Sequence, residues 1–79
     1  MDDAGPELDE DRILAMLGEN VRAHRKKAGL RQADLAERAG LERPFISQLE
    51  NGMRRASIVT LVRVAVGLGT TVSELTQGM

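Results

Sequence analysis

The chain has 79 residues, no Cys, one His, no Tyr or Trp, and a formal net charge of −1. That length is one domain with a modest core, and the lack of Cys removes disulfides and thiolate metal sites and suits a reducing compartment. With no phosphate loop, no clustered carboxylates in a folded stretch and no partner for His24, the sequence offers no catalytic set and no metal site, and it calls for no cofactor.

Residues 1–8 contain Gly5-Pro6 and three acids and are expected to form a flexible acidic leader ahead of a domain spanning 9–79. Charge divides along the same line. Residues 1–19 hold seven acids against Arg12, a net of −6, whereas residues 20–79 hold ten Lys and Arg against five acids, a net of +5. A basic block beside an acidic leader points to a polyanionic partner for the former. The acidic start is unlike a secretory signal, and Arg63 interrupts the longest apolar stretch well short of the ~20 residues that span a membrane. A soluble cytoplasmic protein is expected.

Asp9 can cap a first helix from about Glu10 to Lys27, with Glu10 and Asp11 in the first turn where the helix dipole favours acids. Leu14, Leu17, Val21 and Ala28 mark its inner face, and Gly18 weakens its middle enough that a break there is conceivable. Gly29 ends it and Leu30 turns the connection inward. A second helix follows from Gln32, with Leu35, Ala36 and Ala39 on one face and Gly40 where it must stop in a left-handed turn. The third helix turns Ile46 and Leu49 inward and leaves Arg43, Pro44, Phe45, Ser47, Gln48 and Asn51 outside. Two short helices joined by a tight turn, with a polar outer surface on the second, suit entry into a DNA major groove.

Asn51-Gly52 stops the third helix and the loop that follows, MRRA, is basic. Ser57 caps a fourth helix through about Gly67, in which Ile58, Leu61, Ala65 and Leu68 form the expected core stripe. Val59, Val62 and Val66 form a second apolar stripe on it, and a helix apolar on two faces is covered on both, either by a core wider than average or, as the preferred reading, by a second copy of the chain. A fifth short helix runs from Thr71 to about Thr76, with Val72 and Leu75 inward. Nothing alternates with period two over a useful length, so the fold class is all-α.

In four blocks of one register, residues 18–75 resemble the phage-repressor and Cro-like helix-turn-helix family, the xenobiotic-response-element type. The blocks include GENVRAHRKKAGLRQADLAERAG, LERPFISQLENG and SIVTLVRVAVGLGTTVSEL. The chain is also similar to the short controller proteins of restriction–modification systems. The resemblance implies a five-helix lambda-repressor-like domain and a sequence-specific, homodimeric transcriptional regulator. Its third helix would read an inverted-repeat operator on double-stranded DNA. The sequence lacks the materials for an enzyme, and a chain this small has no room for a ligand domain, so no small-molecule ligand is expected. By position the resemblance implies base reading by Arg43, Pro44, Ser47 and Gln48, and phosphate contact by Gln32, Asn51, Arg54 and Arg55. It further implies an ion pair between Arg25 and Glu50 beneath the reading helix. Glu42 departs from the family, which usually has a Ser or Thr cap there; it either turns away from DNA or accepts from cytosine N4. Phe45 is open to two placements, along the DNA backbone or over the aliphatic part of a neighbour. The alternative reading is an antitoxin-type interaction module on the same fold.

Overall fold

A computed structural model describes residues 8–79, so all but the last residue of the expected acidic leader lies outside the described residues. Five helices follow one another: α1 Glu10–Lys27, α2 Gln32–Ala39, α3 Arg43–Glu50, α4 Ile58–Leu68 and α5 Val72–Leu75. Among the described residues there is no strand, and the arrangement is the five-helix one that the resemblance implies.

Local chemistry accounts for the boundaries. Asp9 accepts from Arg12 N–H at 3.1 Å, and Ser57 and Thr71 do the same for Thr60 and Glu74. Each satisfies a first-turn amide that the helix itself cannot. At the end of α2, Gly40 takes φ 69°, and Leu41 N–H returns to Ala36 carbonyl at 2.9 Å. That left-handed residue lets α3 leave at a steep angle, which is why a glycine stands between the two helices. Pro44 stands in the first turn of α3, where its missing N–H removes no helical bond.

The core is drawn from every helix. Val21 of α1, Leu35 of α2, Ile46 and Leu49 of α3, Val64 of α4 and Leu75 of α5 are fully or almost fully enclosed. Asn20 donates to the carbonyls of Leu75 at 2.8 Å and Gln77 at 3.1 Å, fastening the C-terminal turn to α1.

Two expectations about the core need correction. Ile58 is not in it: it lies at the first turn of α4, 64 % exposed, and Val64 takes the inward position instead. Ala28 is exposed, because α1 ends at Lys27 and the chain turns away before that residue can pack. Gly18 does not break α1, which runs unbroken past it.

Gly18 instead marks the point where α1 crosses the end of α3. A Cβ on Gly18 would lie 2.5 Å from the Glu50 carbonyl oxygen and 2.6 Å from that of Leu49. Gly67 serves the same purpose where α4 crosses α2, with a Cβ falling 3.3 Å from Ala39 N and 3.2 Å from Leu35 Cδ1. The Gly18 crossing is closer than any side chain would allow, whereas that at Gly67 is tight but less so, and close packing leaves little slack at either. A mid-helix Gly→Ala change normally stabilises by ~1 kcal/mol. Gly18→Ala is expected to reverse that sign and destabilise by about 2 kcal/mol, since the atoms it meets are backbone and cannot rotate aside. Urea unfolding midpoints of the two proteins measure it.

Candidate nucleic-acid interface

Beneath the outer surface of α3 lies a buried carboxylate. Glu50, the last residue of α3, is 4 % exposed. Arg25 grips it with both arms of its guanidinium: Nε donates to Oε2 at 2.6 Å and Nη2 to Oε1 at 3.0 Å. The same Arg25 donates from Nη1 to the Leu30 carbonyl at 2.8 Å, in the connection leading to α2. Gln32 Nε2 adds a bond to Glu50 Oε1 at 3.1 Å, and Arg22 Nε adds a longer one at 3.4 Å. Arg22 Nη2 also donates to Asn51 Oδ1 at 3.1 Å.

Burial pushes the Glu50 carboxyl upward, but the hydrogen bonds from Arg25, Gln32 and Arg22 outweigh it and hold the group below the ordinary carboxylate range. The Arg25 guanidinium is held above its usual value in return, chiefly by the hydrogen bonds to Glu50. A carboxylate at a helix C-terminus opposes the dipole, so these donors are what keep it charged there.

Gln32 and Asn51, both expected at phosphates, thus have their side chains engaged in this network. Gln32 opens α2, whose N-terminus carries backbone N–H groups and a positive dipole end, the chemistry that receives an anion. Next to it, Asp34 reaches back to the Arg31 N–H at 2.9 Å and to its guanidinium at 3.0 Å. The Arg31 hydrogen bonds hold the Asp34 carboxyl below its usual range.

The outer face of α3 presents Arg43, Pro44 and Gln48 in the open, with Ser47 half-buried between them and Asn51 exposed beyond. Arg can offer paired donors and Gln a donor with an acceptor, the patterns that match base edges. Glu42 precedes Arg43 as the N-cap, but its carboxylate makes no capping bond and borders an open cleft with Pro44 and Gln48. Phe45 is half-buried, packed against the core on one side and covered by Arg54 on the other, with Cζ 5.0 Å from the ring centroid. Expected on the outside of α3, the ring instead packs partly against the core, because Ile46 and Leu49 leave room beside them, and what covers it is the Arg54 guanidinium and not the aliphatic part of a neighbour. Arg54 Nη1 also donates to Gln48 Oε1 at 3.5 Å.

Arg55 pairs with Glu10 in the first turn of α1, both largely exposed. Val59, Val62 and Val66 are 61, 47 and 70 % exposed, and with Ile58 they form an apolar face on α4. Sequence reasoning missed Arg22 and the pairing of Arg55 with Glu10. Arg22 could have been found, since it lies three residues before Arg25 and therefore on the same face of α1.

Among the described residues, no three His, Cys, Asp or Glu side chains are grouped to hold a metal ion, and no helix is long and apolar enough to cross a membrane.

The Helix-turn-helix family profile matches residues 21–75. The control protein C.MunI of Mycoplasma sp is 39 % identical over 64 residues, covering 80 % of this chain and 86 % of that protein. The control protein C.SmaI of Serratia marcescens is 40 % identical over 63 residues, covering 80 % and 75 %. Among solved structures, the restriction–modification controller protein C.AhdI of Aeromonas hydrophila superposes with a TM-score of 0.77 at 34 % identity, covering 78 % of this chain and 94 % of that one.

The buried carboxylate yields a signed prediction. Because its native pKa is depressed, Glu50 contributes stability that is present above the ordinary carboxylate value and lost as pH falls through the lower native one. Glu50→Gln leaves Arg25 without its counter-charge and is expected to cost about 3 kcal/mol at pH 7. The gap between wild-type and Glu50→Gln melting temperatures should close progressively below about pH 4.

Proposed function

The chain belongs to the Helix-turn-helix family of DNA-binding transcriptional regulators, a non-enzymatic family, and from that premise we propose that it works as a homodimer on an inverted-repeat operator. The single observation that carries the proposal is the α4 face. Ile58, Val59, Val62 and Val66 are all exposed in one protomer, on a helix whose opposite side is already sealed against α2 and the core. An exposed apolar face of this kind marks an association surface, and a two-fold axis lets the same patch cover itself.

A symmetric pair of protomers presents two α3 helices to one side of the duplex, which calls for half-sites about one helical turn apart. In each half-site Arg43, Pro44, Ser47 and Gln48 read base edges. Arg43 suits the acceptor pair of guanine, and Pro44, which cannot donate, suits a thymine methyl. The N-terminus of α2 at Gln32, with Asn51, Arg54 and Arg55, holds the sugar–phosphate strands and supplies salt-dependent affinity. Arg25 and Glu50 hold α3 at its angle. Residues 9–79 form the DNA-binding unit, acting in the cytoplasm without a small-molecule ligand. Likeness to controller proteins extends the proposal to that biological role, regulation of a restriction–modification system.

Selection from a random duplex pool tests the operator: a palindromic consensus is expected, and an asymmetric single site would sink the two-fold arrangement. Val62→Glu is expected to give a folded monomer by sedimentation, with operator affinity reduced at least tenfold because one half-site must then bind alone. A wild-type chain that sediments as a monomer at tens of micromolar would move the interface off α4.

The Arg55–Glu10 pair supports a further expectation. An acid beside a phosphate-binding arginine competes with the phosphate, so Glu10→Gln should raise affinity for any duplex at low salt, with the gain shrinking as salt rises. Fluorescence anisotropy with specific and random duplexes at several salt concentrations measures this, and the ratio of the two affinities should stay constant.

A further inference from the structure

Phe45 is the only aromatic residue in the chain, and Arg54 lies across it. The ring is held from behind by the core, so its outer face is a fixed shelf. A guanidinium is planar and weakly hydrated, and it stacks on such a face where a more mobile side chain would drift. From that shelf Arg54 reaches Gln48, donating from Nη1 to Oε1 at 3.5 Å. Arg54, Phe45 and Gln48 border the same open cleft on the outer side of α3.

This contact changes what Gln48 can say to a base. A glutamine amide has one acceptor oxygen and one donor NH2 group. Recognition of adenine uses both, the oxygen accepting from N6 and the nitrogen donating to N7. Arg54 takes one of the two lone pairs of Oε1 and sets its remaining N–H groups beside the Gln48 NH2 group, so the pair offers more donors than an unrestrained glutamine. A surface weighted toward donors matches best an edge that carries acceptors alone, and guanine, with N7 and O6, is that edge.

We propose that Arg54, seated on the Phe45 ring, is a positioning residue for specificity: it holds Gln48 in a donor-presenting orientation, so that this position selects guanine where an unrestrained glutamine selects adenine. The inference rests on the reading of DNA by α3 given above, and it assigns Arg54 a role in sequence choice in addition to phosphate contact.

The test is binding-site selection from a random duplex pool with wild type, Gln48→Ala, Arg54→Ala, Phe45→Leu and Phe45→Tyr, each followed by a salt titration on its consensus. Gln48→Ala identifies the symmetric operator position that Gln48 controls. Wild type is expected to enrich guanine there by about tenfold, and Phe45→Tyr, which keeps the ring, should retain it. Phe45→Leu and Arg54→Ala should both lose the guanine preference or move it to adenine. Phe45→Leu retains the Arg54 charge, so its salt slope should equal that of wild type. A pure phosphate clamp behaves differently: Arg54→Ala would weaken every sequence alike with a shallower slope, and Phe45→Leu would change no preference. Should Phe45→Leu fail to fold, Arg54→Ala carries the test, since that side chain is exposed. A wild-type preference unchanged in Arg54→Ala overturns this inference and leaves α3 as the reading helix. A wild-type chain that enriches no consensus, or a Gln48→Ala variant with the wild-type consensus, overturns the reading helix as well.

Discussion

The Glu50 carboxylate is where the separate helices become one object. Its partners come from α1, through Arg22 and Arg25, and from α2, through Gln32, while Glu50 itself ends α3. Arg25 extends the same network to the Leu30 carbonyl, so the connection between α1 and α2 is fixed with it. A charge removed from water is costly, and it is tolerated here because both carboxylate oxygens are met by donors with good geometry. The α3 surface depends on this arrangement for its angle, since the apolar contacts of Ile46 and Leu49 are less directional than a two-pronged guanidinium–carboxylate pair.

Much of the fold was legible because helical periodicity leaves a mark on sequence. Leu35 with Ala39, and Ile46 with Leu49, recur at the spacing of one helix face, and Asp9, Ser57 and Thr71 announce helix starts through the chemistry of their side chains. What was illegible depends on distance across the fold. In α4 nearly every position is apolar, so periodicity cannot say which stripe faces inward, and Ile58 and Val64 exchange roles accordingly. Gly18 reads locally as a weakness; only the carbonyls of Leu49 and Glu50, more than thirty residues away in the chain, make it a requirement.

The candidate site divides in the same way. The exposed positions Arg43, Pro44, Gln48 and Asn51 follow from knowing which side of α3 is buried, and that side is periodic. The partners of those residues do not follow. Whether Arg54 points at solvent or lies on Phe45, and whether Arg55 is alone or meets Glu10, depends on how the loop after α3 runs back past α1. Arginines in a loop carry no periodic signal. Their length lets them find any acceptor or ring within reach, so three dimensions are needed to say which one.

The crossing at Gly18 has an evolutionary corollary. Main chain rests on main chain there, and together with the Glu50 network beneath it this contact seats α3 on α1. Arg43, Pro44 and Gln48 lie on the opposite side of α3 and are exposed. Their identities can drift without moving the helix that bears them, because nothing in its seating consults them. A lineage of such proteins can therefore acquire new vocabularies on an unchanged mount, and a designer can graft outward residues from one relative to another without repacking the interior.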